Sequence, residues 1–205
     1  MPRTARVVIP GAPHHVTQRG NNRQQVFFED ADYDKYLRLL HEQSRKYGLT
    51  IHSYCLMPNH VHLVATPATE EGLANAVGRT HSFYARYFNW RRNQSGHLWQ
   101  GRFFCCVLDE PHTMAAMLYT ERNPVRAGLV QRAWDHPWSS AHAHVNVTDP
   151  WGLLEWGLWG NLFLGGGDTW AELLQDGSRQ EDEALIREHT RLGKPMRRTD
   201  GAKEI

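Results

Sequence analysis

Two histidines separated by one residue, His60-Val61-His62, are the part of this chain whose type and spacing speak most directly of chemistry. Side chains alternate between the faces of a strand, so His60 and His62 project from one side about two strand rises apart, close enough to hold one divalent ion. Val61 and Leu63 then face a core. Leu63-Val64-Ala65-Thr66 extends the strand and Pro67 stops it, which sets the pair on a rigid element. A second constellation comes after the helix-start signal Asp109-Glu110-Pro111. If helix runs from Pro111 to the residue before Pro124, Tyr119 and Asn123 lie at i and i+4 and offer a phenol and an amide oxygen on one face.

A phenol, with an ordinary pKa of about 10, is a poor nucleophile at neutral pH, so any attack by it needs help in placing and deprotonating it. A divalent ion, Mg²⁺ or Mn²⁺, held by neutral imidazoles and an oxygen ligand would leave positions open for substrate and water and stabilise charge in the transition state. Each group also has a plain reading. A tyrosine on an amphipathic helix is usually a packing residue, and Asn-Pro is a common helix stop.

The elements that must position these groups are legible in outline. His14 to Gln18 reads as a strand and Gly20 to Asn22 as a turn. Asp30-Ala31-Asp32 then starts an amphipathic helix with Tyr33, Tyr36, Leu37, Leu40 and Tyr47 on its apolar side, ended by Gly48. Ile51 to Leu56 and His60 to Thr66 form one bent strand or two. A helix from about Glu70 to Trp90 carries Arg79 and Arg86 on its polar side, with Arg91 and Arg92 next in line as candidates for a backbone-tracking stripe. Arg102 to Leu108 reads as a strand. This order suggests an α+β fold, an antiparallel sheet with helices packed mainly on one face. Beyond Ser140, Trp151 to Phe163 is rich in Trp and Leu and is expected to pack on the core. Gly165-Gly166-Gly167 reads as a flexible break, and Ala171 to Gln175 and Glu183 to Arg191 as short helices.

Met57 to Pro67, Tyr119 to Val130, Ser95 to Phe103, Trp138-Ser139-Ser140, His15 to Arg23 and Val26-Phe27-Phe28 together resemble the REP-associated tyrosine transposases, the domesticated branch of the single-tyrosine HUH transposases. The resemblance spans most of residues 6 to 140. It implies a ferredoxin-like or RRM-like core with the histidines on a central strand. It implies a catalytic domain over 1–140, continued by a partly helical extension over 141–205 that is not an independent domain. It implies that Tyr119 attacks single-stranded DNA near REP-type hairpins through a 5′-phosphotyrosine intermediate, with His60, His62 and Asn123 as metal ligands. Insertion-sequence relatives carry Gln where this chain has Asn123, so water or another side chain remains open as the third ligand.

For DNA contact, Arg19, Asn21 and Arg23 around Gly20, and Trp99 with Arg102, could stack splayed bases and hold phosphates. Trp99 as a core residue is an equal reading. Arg122 and Arg126 beside the tyrosine helix are placed for phosphate contact. Charge supports a polyanionic partner once it is divided along the chain. Residues 1–132 hold 16 Lys and Arg against 10 Asp and Glu, the remainder 7 against 12, so a basic portion is hidden in a net charge of +1. Neither an apolar leader nor a bilayer-length apolar run is present, and Cys55, Cys105 and Cys106 have no metal or disulfide spacing, which points to a cytoplasmic protein with no membrane partner. Monomer and homodimer are both compatible. Three activities stay open: strand-transferring transposase, hairpin binder that does not cut, and metal-dependent phosphodiesterase.

Overall fold

The computed structural model describes residues 6–162, 166–177 and 180–196. Strands β1 (His14–Arg19), β2 (Leu49–Met57), β3 (His60–Pro67) and β4 (Phe104–Val107) form one antiparallel sheet in the order β2-β3-β1-β4. Helix α1 (Asp30–Tyr47) joins β1 to β2 with β3 slotted between them, and α2 (Gly72–Arg91) joins β3 to β4 with β1 between. Such crossovers are right-handed, so both helices land on the same face of the sheet. The result is the interleaved βαβ arrangement of a ferredoxin-like fold. The stretch read as one bent strand or two is a hairpin, paired from Leu49 opposite Pro67 to Met57 opposite His60.

Local chemistry fixes α1. Asp30 and Asp32 in its first turn and Arg45 and Lys46 in its last complement the helix dipole, and Gly48 closes it at φ 61°. Its Tyr33, Tyr36, Leu37 and Leu40 pack on Val16, Val61, Leu63, Ala65 and Cys105, the alternate residues of three strands, and on Leu73, Val77, Tyr84 and Phe88 of α2. Asp32 is fully buried in this layer, where it accepts the Phe28 N–H and pairs with Arg92 at 2.7 Å. Arg91 pairs with Glu29 at 2.8 Å. Two members of the arginine stripe are therefore tied to acids of this chain.

The other face is covered in part as well. Helix α3 (Glu110–Glu121) and helix α8 (Gln180–Leu192) cover part of it, burying Val64 and Cys106 against Ala116, Met117, Leu118 and Ile186. The physical reason is legible in β3 and β4. Val64 and Cys106 are apolar on this side while Leu63 and Cys105 are apolar on the other, and strands apolar on both sides need cover on both. The start of α3 is as expected, with the Asp109 carboxylate accepting the His112 N–H at 3.2 Å and Pro111 in the first turn. Its end comes sooner, at Glu121, and one further turn, α4 (Asn123–Arg126), accommodates Pro124.

Beyond the sheet, residues 138–140 pair with the outer edge of β2 through Leu56 N–H to Trp138 O and Ser140 N–H to Tyr54 O, both 2.9 Å. Trp138 stacks on Tyr33 with centroids 4.7 Å apart and so anchors the start of the extension. The extension continues through α5 (Ala141–Asn146), α6 (Trp156–Leu162) and α7 (Gly166–Asp176) to α8. The expected glycine break is corrected in part. Gly165 lies outside the described residues, but Gly166 and Gly167 open α7, and a β-carbon on Gly167 would stand 2.1 Å from the Val145 carbonyl oxygen. Only glycine lets α7 lie that close to α5. Among the described residues no helix is long and apolar enough to cross a membrane.

The buried histidines make the fold sensitive to acid. His81, bonded through Nε2 to the Tyr36 hydroxyl at 2.9 Å, is pushed by burial down to about 3, and His52 down to about 4. A histidine depressed in the folded state leaves the unfolded chain binding the extra proton, so stability is full above the unfolded value near 6.5 and falls as the pH drops toward the folded value. In metal-free protein, each such histidine should lower unfolding free energy by about 2 kcal/mol between pH 7.5 and pH 5. Urea unfolding at the two pH values measures this; equal stability would contradict it.

Candidate active site

Register decides which residues stand beside the paired imidazoles. Across from β3, His60 faces Arg19, His62 faces Thr17 and Val64 faces His15; across from β1, Thr17 faces Phe104 and His15 faces Cys106. All of these share one face because the alternation is unbroken through both central strands. His60 and His62 have ring centroids 5.0 Å apart. Helix α3 crosses the same face and sets Tyr119 edge-on to His62 at 5.5 Å and to His15 at 5.6 Å between centroids.

Each imidazole is held by its Nδ1. His60 Nδ1 donates to Asn59 Oδ1 at 2.6 Å, while the Asn59 amide N–H₂ donates to the Arg23 carbonyl at 3.2 Å and so orients the oxygen. His62 Nδ1 meets His15 Nε2 at 3.0 Å, and His15 Nδ1 meets Thr190 Oγ1 of α8 at 2.7 Å. Burial, with Arg19 and Arg126 adding repulsion, pushes His60 down to about 3; burial, His60, His15 and both arginines hold His62 well below the usual range. Both rings are therefore neutral at pH 7, the form that ligates metals. Neither Nε2 has a hydrogen-bond partner among the described residues, and neither is a sealed polar atom. Two neutral imidazoles with the second nitrogen fixed and the first open fit a divalent ion. Among the described residues no group of three His, Cys, Asp or Glu joins them, so oxygen donors would complete the sphere.

Tyr119 is only 3 % exposed, yet its hydroxyl is neither hydrogen-bonded to a described residue nor a sealed polar atom. The cover over the ring is polar. The Arg126 guanidinium lies 4.5 Å above its centroid, and Arg126 is itself paired with Glu183 of α8 at 3.1 Å. Asn123 sits one helical turn beyond the tyrosine, with its amide N–H₂ donating to the carbonyls of Tyr119 at 2.9 Å and Thr120 at 3.2 Å. That leaves the amide oxygen free to accept a hydrogen bond or to ligate a metal. It makes no hydrogen bond with either imidazole.

Other residues expected to touch DNA divide into two groups. Arg19 stands directly opposite His60, and Asn21 and Arg23 lie in a short 3₁₀ turn secured to the Pro58-Asn59 loop through Gly20 N–H to Asn59 O at 2.9 Å. A β-carbon on Gly20 would stand 2.3 Å from the Gln24 carbonyl oxygen, which explains the glycine there. Arg102 is exposed beside a groove of about 660 Å³ that it shares with Arg6, Phe104, Arg191 and Lys194, and no acid is among the described residues that line it. Trp99 takes the second of its two readings, that of a core residue. It is 8 % exposed, donates its indole N–H to the His81 carbonyl at 2.9 Å and packs against Tyr84, because the apolar layer under α2 has room for a large ring. Arg122 is held within the chain. Its guanidinium donates to the Leu174 and Gln175 carbonyls at the end of α7, where helix C-terminal oxygens want cations. Arg126 keeps an exposed position but is engaged with Tyr119 and Glu183.

Sequence reading assigned no role to Glu121, two residues beyond the tyrosine. It is fully buried, and its carboxylate accepts the Ser140 hydroxyl at 2.5 Å, His144 Nδ1–H at 2.6 Å and the Trp170 indole N–H at 2.8 Å. Ser140 in turn accepts the Tyr54 N–H at 2.9 Å, so the end of α3 is fastened to β2, α5 and α7 at once.

The same residues carry a likeness to known proteins. The family model described as "Transposase IS200 like" matches residues 11–123, more than half of the chain and all of the site from His15 to Asn123. The chain belongs to the IS200-like transposase family. It is 28% identical over 137 residues, 59% of this chain and 77% of the relative, to a Haemophilus influenzae protein whose name places it among the REP-associated tyrosine transposases. A solved REP-associated tyrosine transposase bound to a REP hairpin superposes with a TM-score of 0.58 at 20% identity, covering 74% of this chain and 90% of that one. The likeness extends to the fold.

The carboxylate behind the tyrosine gives the prediction here. Glu121→Ala leaves a buried hydroxyl, imidazole and indole without their acceptor and should cost about 3–5 kcal/mol of unfolding free energy, Glu121→Gln less. Denaturant titration measures both; a loss below about 1 kcal/mol for the alanine variant would contradict the assignment.

Proposed function

We propose that this transposase cleaves and rejoins single-stranded DNA beside REP-type hairpins, with Tyr119 as nucleophile. The observation that carries the reading is the meeting, within one chain, of the Tyr119 ring with His62, whose Nε2, like that of the neighbouring His60, is open. The Tyr119 oxygen forms a bond to phosphorus, the bond to the 3′ oxygen breaks, and that oxygen leaves as a 3′-hydroxyl with a proton. The product is a 5′-phosphotyrosine. Attack on it by a 3′-hydroxyl reverses the bond changes and rejoins strands, so no external energy source is needed. Mg²⁺ or Mn²⁺ at His60 and His62, with the Asn123 oxygen or water as further ligand, would supply Lewis-acid stabilisation of the phosphate.

The protein's own share is positioning. Rigid β3 sets the imidazoles, α3 sets the phenol, and Arg19 opposite His60 supplies a cation for the strand that carries the scissile phosphate. Arg126 must swing off the Tyr119 ring before a strand can reach it, and its guanidinium is then free for phosphate. Asn21, Arg23, Arg102 and the basic groove beside β4 are the proposed path for the rest of the DNA.

Incubation with a labelled single-stranded REP hairpin and Mn²⁺ or Mg²⁺, resolved by denaturing electrophoresis, separates the readings. A protein–DNA adduct is expected, lost in Tyr119→Phe and reduced at least about 100-fold in His60→Ala and His62→Ala. Cleavage without adduct would favour a metal phosphodiesterase, and hairpin retention without cutting a binding protein; either overturns the proposal.

A further inference from the structure

Helix α8 lies outside the segment matched by the family model, yet it ends a hydrogen-bond chain that begins at His62. The direction of that chain is set by counting protons. Thr190 Oγ1 stands 2.6 Å from the Ile186 carbonyl oxygen and 2.7 Å from His15 Nδ1. Two oxygens at the first distance need a proton between them, and a carbonyl has none to give. The single hydroxyl proton is spent on Ile186. Toward His15, Thr190 is then an acceptor only, so His15 carries its proton on Nδ1 and a lone pair on Nε2. That lone pair faces His62 Nδ1 at 3.0 Å, which must therefore be the protonated nitrogen of His62. Cys106 Sγ, 3.3 Å from the same hydroxyl oxygen, is left to donate its thiol proton to it.

We propose that Thr190 is a positioning residue which, through His15, fixes the tautomer of His62 and so keeps a bare Nε2 lone pair turned to the cleft. The inference rests on the metal-centred reading above, because a lone pair rather than an N–H is what an ion requires. The reverse arrangement, with Thr190 donating to His15 and His15 to His62, would place a proton on His62 Nε2 and close that nitrogen to a metal. All three residues are buried, His15 at 1 %, His62 at 4 % and Thr190 at 1 % exposure, so water does not scramble the order between them. Proton placement at the proposed centre is thus dictated from the extension, by a residue 128 positions from the ligand it serves.

Thr190→Val keeps shape and removes the acceptor. His15 Nδ1–H then has nowhere to donate, the favoured tautomer becomes Nε2–H, and His62 is driven to carry its proton toward the cleft. Two measurements on the full chain test the relay. Long-range ¹H–¹⁵N correlation of metal-free, histidine-labelled protein should show His62 protonated at Nδ1 in the wild type and shifted toward Nε2–H in Thr190→Val. Calorimetric titration with Mn²⁺ alone should show binding weakened by about 10–100-fold in Thr190→Val and restored in Thr190→Ser, which keeps the hydroxyl. A wild-type His62 protonated at Nε2 overturns the inference, as does unchanged Mn²⁺ binding by Thr190→Val or failure of Thr190→Ser to restore it. If the wild type binds no Mn²⁺ while its His62 is protonated at Nδ1 and the valine variant is not, the metal reading fails and the tautomer relay stands.

Discussion

The pairing of β1 with β3 is the constraint on which the rest of this structure depends. These two central strands run antiparallel in a register that places Arg19 opposite His60 and His15 opposite Val64. A slip of one residue would send the histidines into the layer under α1 and α2, where Val61 and Leu63 now lie, and would expose that pair of apolar side chains. The hydrophobic requirement of one face therefore fixes the polar composition of the other. Because each central strand has neighbours on both sides, the site is built where backbone groups are already satisfied.

On that frame, polar groups are used in two ways. His60 and His62 are held neutral by burial, each with Nδ1 engaged, which readies Nε2 for a ligand, while His15 spends both ring nitrogens in linking His62 to Thr190. Glu121 is used for fastening: its carboxylate gathers donors from Ser140 beside the edge of β2, from α5 and from α7, and so anchors the helix that carries Tyr119. The extension thereby touches the candidate site twice, through Glu121 from behind and through α8 from above, where Glu183 holds Arg126 over the tyrosine and Thr190 holds His15.

How much of this the sequence disclosed depended on whether the signal was local. His60 and His62 were legible because period-two alternation and Pro67 act within eight residues, and the start of α3 because Asp109 and Pro111 are local helix chemistry. The strand and helix order, and with it an α+β sheet, could be read for the same reason. His15 was visible as a strand residue, but its partnership with His62 depends on register between strands 47 positions apart, which no local pattern encodes. Thr190 offered no signal at all. Trp99 and Arg122 were ambiguous because an aromatic beside Arg102 and a cation beside a helix end look alike whether they face solvent or a neighbour; a nearby apolar layer and the carbonyl end of α7 set their places in three dimensions. Glu121 was passed over because a carboxylate on a helix is ordinarily solvated, and only burial by α5 and α7 changes its role.

The central claim is spatial: the open Nε2 atoms of His60 and His62 and the Tyr119 phenol form one site within a single chain. Anomalous diffraction at the manganese edge, from crystals of the full chain grown with Mn²⁺, tests it most directly. The account predicts one strong peak between those two imidazoles, on the side of the sheet that carries Tyr119. A peak elsewhere, or density that leaves both Nε2 atoms without manganese, would contradict it.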